Sequence, residues 1–114
     1  MEKVKKYQKA ILKVLEDYAA IKSPFMPEVE NKVAADTKNH HYQLVRMGWY
    51  KDKHVHYTVF HFDIVHGKVW IQENRTDVKI DEELMDAGIA PDDIVSGLQH
   101  PTMRKLARAA TVSA

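Results

Sequence analysis

The stretch HVHYTVFHFDIVHGKVWIQE, residues 54–73, decides the fold. From His54 to Val65 it is dense in β-branched and aromatic residues, the composition of a pleated, half-buried strand. Strict alternation would put His56, Thr58, Phe60, Phe62 and Ile64 on one face. Tyr57, Val59, His61, Asp63 and Val65 would take the other. His66-Gly67 supplies a two-residue hairpin turn, with glycine where φ must be positive. Lys68 to Glu73 then returns as a strand, Val69 and Ile71 opposite Trp70 and Gln72.

The same pattern extends upstream. Tyr50-Lys51-Asp52-Lys53 reads as a turn preceded by a strand from Tyr42 to Trp49, and Thr37 to His40 as a turn preceded by a short strand, Val33 to Asp36. Short turns between successive strands predict an antiparallel meander. Before it, Val4, Tyr7, Ile11, Val14, Tyr18 and Ile21 recur at helical spacing, with Leu15 widening the stripe, until Ser23-Pro24 stops the helix. After it, Thr76 or Asp77 is placed to cap a helix carrying Ile80, Leu84 and Ala87 and ending at Gly88. Ala90-Pro91-Asp92-Asp93 reads as a second short helix start, interrupted at Gly97, and His100-Pro101 opens a third through Met103, Leu106 and Ala107. The expected fold class is α+β: an N-terminal helix, a four-stranded antiparallel meander sheet and short C-terminal helices, in one domain over residues 1–114.

Composition narrows function by exclusion. With 45% hydrophobic and 29% charged residues the chain is ordinary globular material. No run approaches the roughly 20 apolar residues of a membrane span, and the basic start lacks an apolar signal core, so no membrane association and a cytoplasmic location are expected. Zero cysteines remove disulfide, thiol and iron–sulfur chemistry. The net charge of +1 conceals opposed blocks. Residues 1–13 carry +4, residues 73–93 carry −6, and Arg104, Lys105 and Arg108 add +3. Such patches suit self-association or a charged protein partner better than a simple polyanion site.

Motifs for catalysis are sparse. There is no nucleophile elbow, phosphate loop or H-E-x-x-H zinc motif, and no cofactor is expected. His61 and Asp63, two apart on a strand, stand side by side as a metal pair or an acid–base pair would. Strict alternation separates them from His54 and His56, and zinc needs three or four convergent ligands. The more economical reading is a carboxylate hydrogen-bonding an imidazole; a metal-dependent hydrolase is the remote alternative. Asp63, Gln72 and Glu73 match a nuclease arrangement only in part, for want of a positioned lysine. Trp49, Trp70, Tyr50 and Tyr57, interleaved with Arg46, Lys51, Lys53 and Lys68, could stack bases and contact phosphates. The tryptophans are instead expected to anchor the core beneath the helices. Candidate contacts to a partner or DNA are Lys5, Lys9 and Lys13 on the helix, with Arg75, Arg104 and Arg108.

Beyond their chemistry, Gly48-Trp49, His61-Phe62-Asp63-Ile64 and Gly67-Lys68-Val69-Trp70-Ile71-Gln72 resemble the GW, HIDI and GKIWIQ signatures of the XisI family. These are small cyanobacterial factors that control excision of the fdxN element. The resemblance runs on through Thr76-Asp77, Ala87-Gly88-Ile89 and Asp93-Ile94-Val95 to Pro101 and Arg104. Val78-Lys79-Ile80 departs from the expected Gly-Ile-Ala, Asp77 from a glutamate and Tyr57 from a glycine. The resemblance implies a non-catalytic controlling factor that acts with a XisH-like protein. A site-specific recombinase would carry out the DNA recombination, and DNA would be reached only indirectly. A homodimer is expected. Trp49, His61, Asp63, Trp70, Gln72 and Asp77 are family-motif residues to which the resemblance gives no role.

Overall fold

One extra residue in the third strand governs how the sheet is dressed. The computed structural model describes residues 2–98. Its elements are helix α1 (Glu2–Ala19), strands β1 (Val29–Asp36), β2 (His41–Tyr50), β3 (Lys53–Val65) and β4 (Lys68–Asn74), helix α2 (Ile80–Asp86), a 3-10 turn (Pro91–Asp93) and strand β5 (Ile94–Ser96). The sheet order is β1-β2-β3-β4-β5, antiparallel except for the parallel β4–β5 pair. The α+β meander beneath an N-terminal helix is as expected, with one strand more than the sequence suggested.

In β3, Leu44 pairs with Phe60 and Val45 with Thr58, so Val59 is a bulged residue. The bulge reverses the alternation. Phe60, Phe62 and Ile64 face the helix after it, whereas before it Val59 and the half-buried Tyr57 do. His54, His56, His61 and Asp63 therefore all stand on the face away from α1. Simple alternation divides this set, because a period of two cannot register an inserted residue. A second bulge, at Gln72 of β4, lets Ile71 pair with Phe62 while Glu73 pairs with His61.

The core lies between α1 and the sheet. Tyr7, Ile11, Val14 and Leu15 pack from the helix against Tyr42, Leu44 and the two stacked phenylalanines, whose ring centroids are 5.9 Å apart. Tyr18 meets Phe60 edge to face at 5.1 Å. Ile21 lies past the helix end and is 61% exposed, since the last turn closes at Ile21 N–H to the Tyr18 carbonyl. The turns follow the sequence reading. Asp36 accepts from the backbone N–H of Lys38 and Asn39, and His66 and Gly67 both take positive φ.

Two C-terminal expectations change. Helix α2 starts at Ile80 with Lys79 at its N-cap and no side-chain cap. Thr76 is engaged elsewhere: its backbone N–H and hydroxyl both donate to Asn74 Oδ1, and its hydroxyl accepts from Val78 N–H, forming a tight turn before the helix. The expected helix at 90–97 is one 3-10 turn followed by β5. Ile94 and Val95 are β-branched and lie beside the free edge of β4, pairing with Val69 and Trp70. Strand β1 also begins four residues earlier than expected, at Val29. The helix expected from His100 lies outside the described residues.

Helix α1 is tied to the end of the described chain by polar groups. Tyr7 Oη donates to Asp93 Oδ2 at 2.5 Å and accepts from Ala90 N–H at 3.3 Å; Lys3 Nζ lies 2.9 Å from the same carboxylate oxygen. The Tyr7 hydroxyl and the Lys3 ammonium hold the Asp93 carboxyl below the usual carboxylate range. Tyr18 donates to Glu83 on α2, and burial together with that carboxylate pushes its hydroxyl up to about 12. Because Asp93 titrates lower when folded than when unfolded, its contribution is complete above about pH 4. It is then lost as pH falls through the depressed value. Asp93→Asn is expected to cost about 1–2 kcal/mol at pH 7. Urea melts should show the native–variant gap narrowing below pH 4; a pH-independent gap would contradict the assignment.

Candidate functional site: the open face of the sheet

Only one face of the sheet is covered by α1. On the other, β2 presents His41, Gln43, Val45, Met47 and Trp49, opposite Asp63, His61, Thr58, His56 and His54 of β3. Trp49 is 52% exposed, with its ring 5.0 Å from that of His54, which is 6.3 Å from His56. Trp70 is half-buried on this face, across the ladder from Asp63. Neither tryptophan belongs to the core cluster. The expectation that they anchor the core fails because Val69 and Ile71 take the inward positions of β4.

Four of the six family-motif residues, His61, Asp63, Trp70 and Gln72, lie together at one end of this face, whereas Trp49 stands at the other end. Asp63 Oδ1 lies 2.8 Å from His41 Nδ1 and 2.8 Å from His61 Nε2. Gln72 Nε2 lies 3.5 Å from Asp63 Oδ2. The register pairs His41 with Asp63 directly, and His61 stands two residues away on the same side. The Asp63 hydrogen bond and negative charge raise the His41 imidazole above its ordinary pKa. Sequence spacing reveals His61 with Asp63 but not His41, which the β2–β3 pairing delivers. The signal that could have found His41 is its place immediately after the Thr37–His40 turn, at the start of a strand.

Gly48 belongs to the same motif set but works through the backbone. Its φ is +143°, and a Cβ added there would lie 2.1 Å from the Glu28 carbonyl oxygen. The start of β1 runs close beside Gly48, which pairs with Val29, and Trp49 N–H donates to that same carbonyl. The glycine thereby permits the close approach of β1 to β2 at the Trp49 end of the face.

The remaining candidate residues are dispersed. Lys5, Lys9 and Lys13 run along a groove of about 810 Å³ between α1 and α2. Its other lining residues include Asp17, Glu83 and Asp86, and Lys13 pairs with Asp17 at 3.3 Å. Arg75 lies 3.7 Å from Glu73 and above the Tyr57 ring. Arg46 also reaches Tyr57, on the helix side of the sheet, so the aromatic and basic residues expected to form one stacking surface are split between two faces. Asp77 is exposed in the loop before α2. Arg104 and Arg108 lie outside the described residues.

A helix on one face of a meander, with aromatic and imidazole side chains arrayed on the other, defines a small α+β domain whose second sheet face is open among the described residues. No helix among the described residues is long and apolar enough to cross a membrane. The chain belongs to the XisI family: the family model described as XisI protein matches residues 1–111. A XisI-like protein from Anabaena variabilis has a similar crystal structure, with 38% identity and a TM-score of 0.80 over 90% of this chain and 94% of that one. The fdxN element excision controlling factor XisI from the same organism is 29% identical, with a TM-score of 0.72 over 91% of this chain and 94% of its own. No curated protein matches the chain.

Proposed function

We propose that this chain is a non-catalytic accessory factor that controls recombinase-mediated excision of a DNA element, acting through a XisH-like protein partner in the cytoplasm. The observation that carries the reading is the near full-length likeness to the Anabaena excision controlling factor. In this reading the strand chemistry belongs to the recombinase. The open face, with Trp49 exposed beside His54, is the surface offered to the partner; aromatic side chains of this kind dominate binding energy at interfaces. The chain alone acts as a homodimer.

Direct DNA binding by Lys5, Lys9 and Lys13 is the weaker reading. A polyanion entering their groove would also meet Asp17, Glu83 and Asp86. Arg75 is already engaged with Glu73 and Tyr57.

Co-expression of the tagged chain with a XisH-like protein is expected to yield a stable complex, measured by capture and by solution mass. Trp49→Ala should weaken capture at least about tenfold with the fold intact. If the native chain retains no XisH-like protein at micromolar concentrations, the partner assignment fails. DNA affinity that falls steeply with salt, with a shallower slope after the three Lys→Ala changes, would put DNA binding in its place.

A further inference from the structure

We propose that His41, His61 and Asp63 bind one divalent transition-metal ion of the zinc class. Their ligand atoms, His41 Nδ1, His61 Nε2 and a carboxylate oxygen of Asp63, all lie within 4.8 Å of one another. Two imidazoles and a carboxylate are the ligand types that Zn2+ and its borderline neighbours accept. At metal–ligand distances of about 2.1 Å, donors around a tetrahedral ion sit about 3.4 Å apart. The two 2.8 Å hydrogen bonds to Asp63 thus need to open by about half an ångström, within side-chain freedom, to admit the ion.

Four further features favour a binding site over a chance contact. The ligands stand on adjacent positions of two hydrogen-bonded strands, so much of the cost of ordering them is met by the sheet. The bulge at Val59 turns His61 and Asp63 onto their face independently of the histidines before it. Gln72, placed by the second bulge, donates to the second oxygen of Asp63, Oδ2, as an outer partner that orients a ligating carboxylate. The His41 side chain is 52% exposed and opens the site to solvent, leaving the fourth position to water. Among the described residues this is the one group of three such side chains; His54 and His56 form only a pair.

The test uses the tag-free full chain stripped with a chelator and titrated with Zn2+ by calorimetry and with Co2+ by visible absorption. The expected result is one ion per chain, visible Co2+ bands of low-symmetry coordination, and a melting temperature raised by Zn2+. His41→Ala and Asp63→Asn should each weaken binding at least about tenfold and remove the bands, whereas the His54→Ala/His56→Ala double variant should keep both. His41 is a surface residue, so its variant carries the test even if Asp63→Asn fails to fold. Failure of the native chain to bind an ion overturns the proposal, as does binding lost in the His54/His56 variant but kept in His41→Ala. The readouts come from the isolated chain and so are independent of whether any partner is captured.

Discussion

Gly48→Ala is expected to be among the most damaging single substitutions in the sheet, costing about 3–4 kcal/mol, at the upper end for one residue. Two effects add. The backbone conformation, with φ at +143°, is one that side-chain-bearing residues rarely adopt. The new methyl would also lie 2.1 Å from the Glu28 carbonyl oxygen and 2.8 Å from the Val29 Cα, both backbone atoms that cannot swing aside. Relief would require β1 to lift from β2 at its first pair, Val29 with Gly48. Gly67→Ala is the control. Its φ is also positive, but the nearest obstacle is the flexible end of Lys3 at 3.8 Å, so it should cost only about 1–2 kcal/mol. Denaturant midpoints at constant m-value would check both; equal losses would mean that backbone conformation, not the close approach of β1, sets the cost.

Phe60→Ala should cost about 3–5 kcal/mol. The ring is fully buried, stacks on Phe62 and receives the edge of Tyr18. Its removal leaves a cavity beneath the helix that neighbouring strands, fixed by their ladders, cannot close. It also sits next to the Val59 bulge, so the variant should loosen the register on which the outward face depends. Thermal unfolding measures the stability loss, and hydrogen exchange in β2 and β3 would report the loosened register. A loss below about 1 kcal/mol would show that the core collapses to fill the space.

The strand order from β1 to β4, the helix stripe and the hairpin at His66-Gly67 were legible because each is written in local periodicity or turn chemistry. The face assignment in β3 was legible only after the bulge. Phe60, Phe62 and Ile64 alternate correctly, but extending that rhythm back through His56 places it on the wrong side. The three-residue cluster was two-thirds legible. His61 and Asp63 are near neighbours in sequence, while His41 reaches them only through strand pairing. Strand β5 was misread because Pro91-Asp92-Asp93 carries a helix-start signal that is realised for a single turn, after which the free edge of β4 decides the conformation of Ile94 and Val95. The departures at Asp77, Val78 and Lys79 fall in the loop and cap before α2, that at Ile80 on its first residue, and the helix itself stays in place.

The hydroxyls of Tyr18 and Tyr7 have acceptors 65 and 86 residues further along the chain. Helix α1 leaves the ribosome before the sheet does, yet Glu83 and Asp93 must be synthesised before those hydroxyls are satisfied. The hairpins of the meander close over short loops and can form earlier. The nascent chain therefore exposes the apolar stripe of α1 until β2 and β3 have emerged, and the polar contacts that lock the docked helix close later still. A chain truncated before residue 83 would keep strand-forming sequence but lose the acceptors that lock the helix down, making incomplete copies ready targets for quality control.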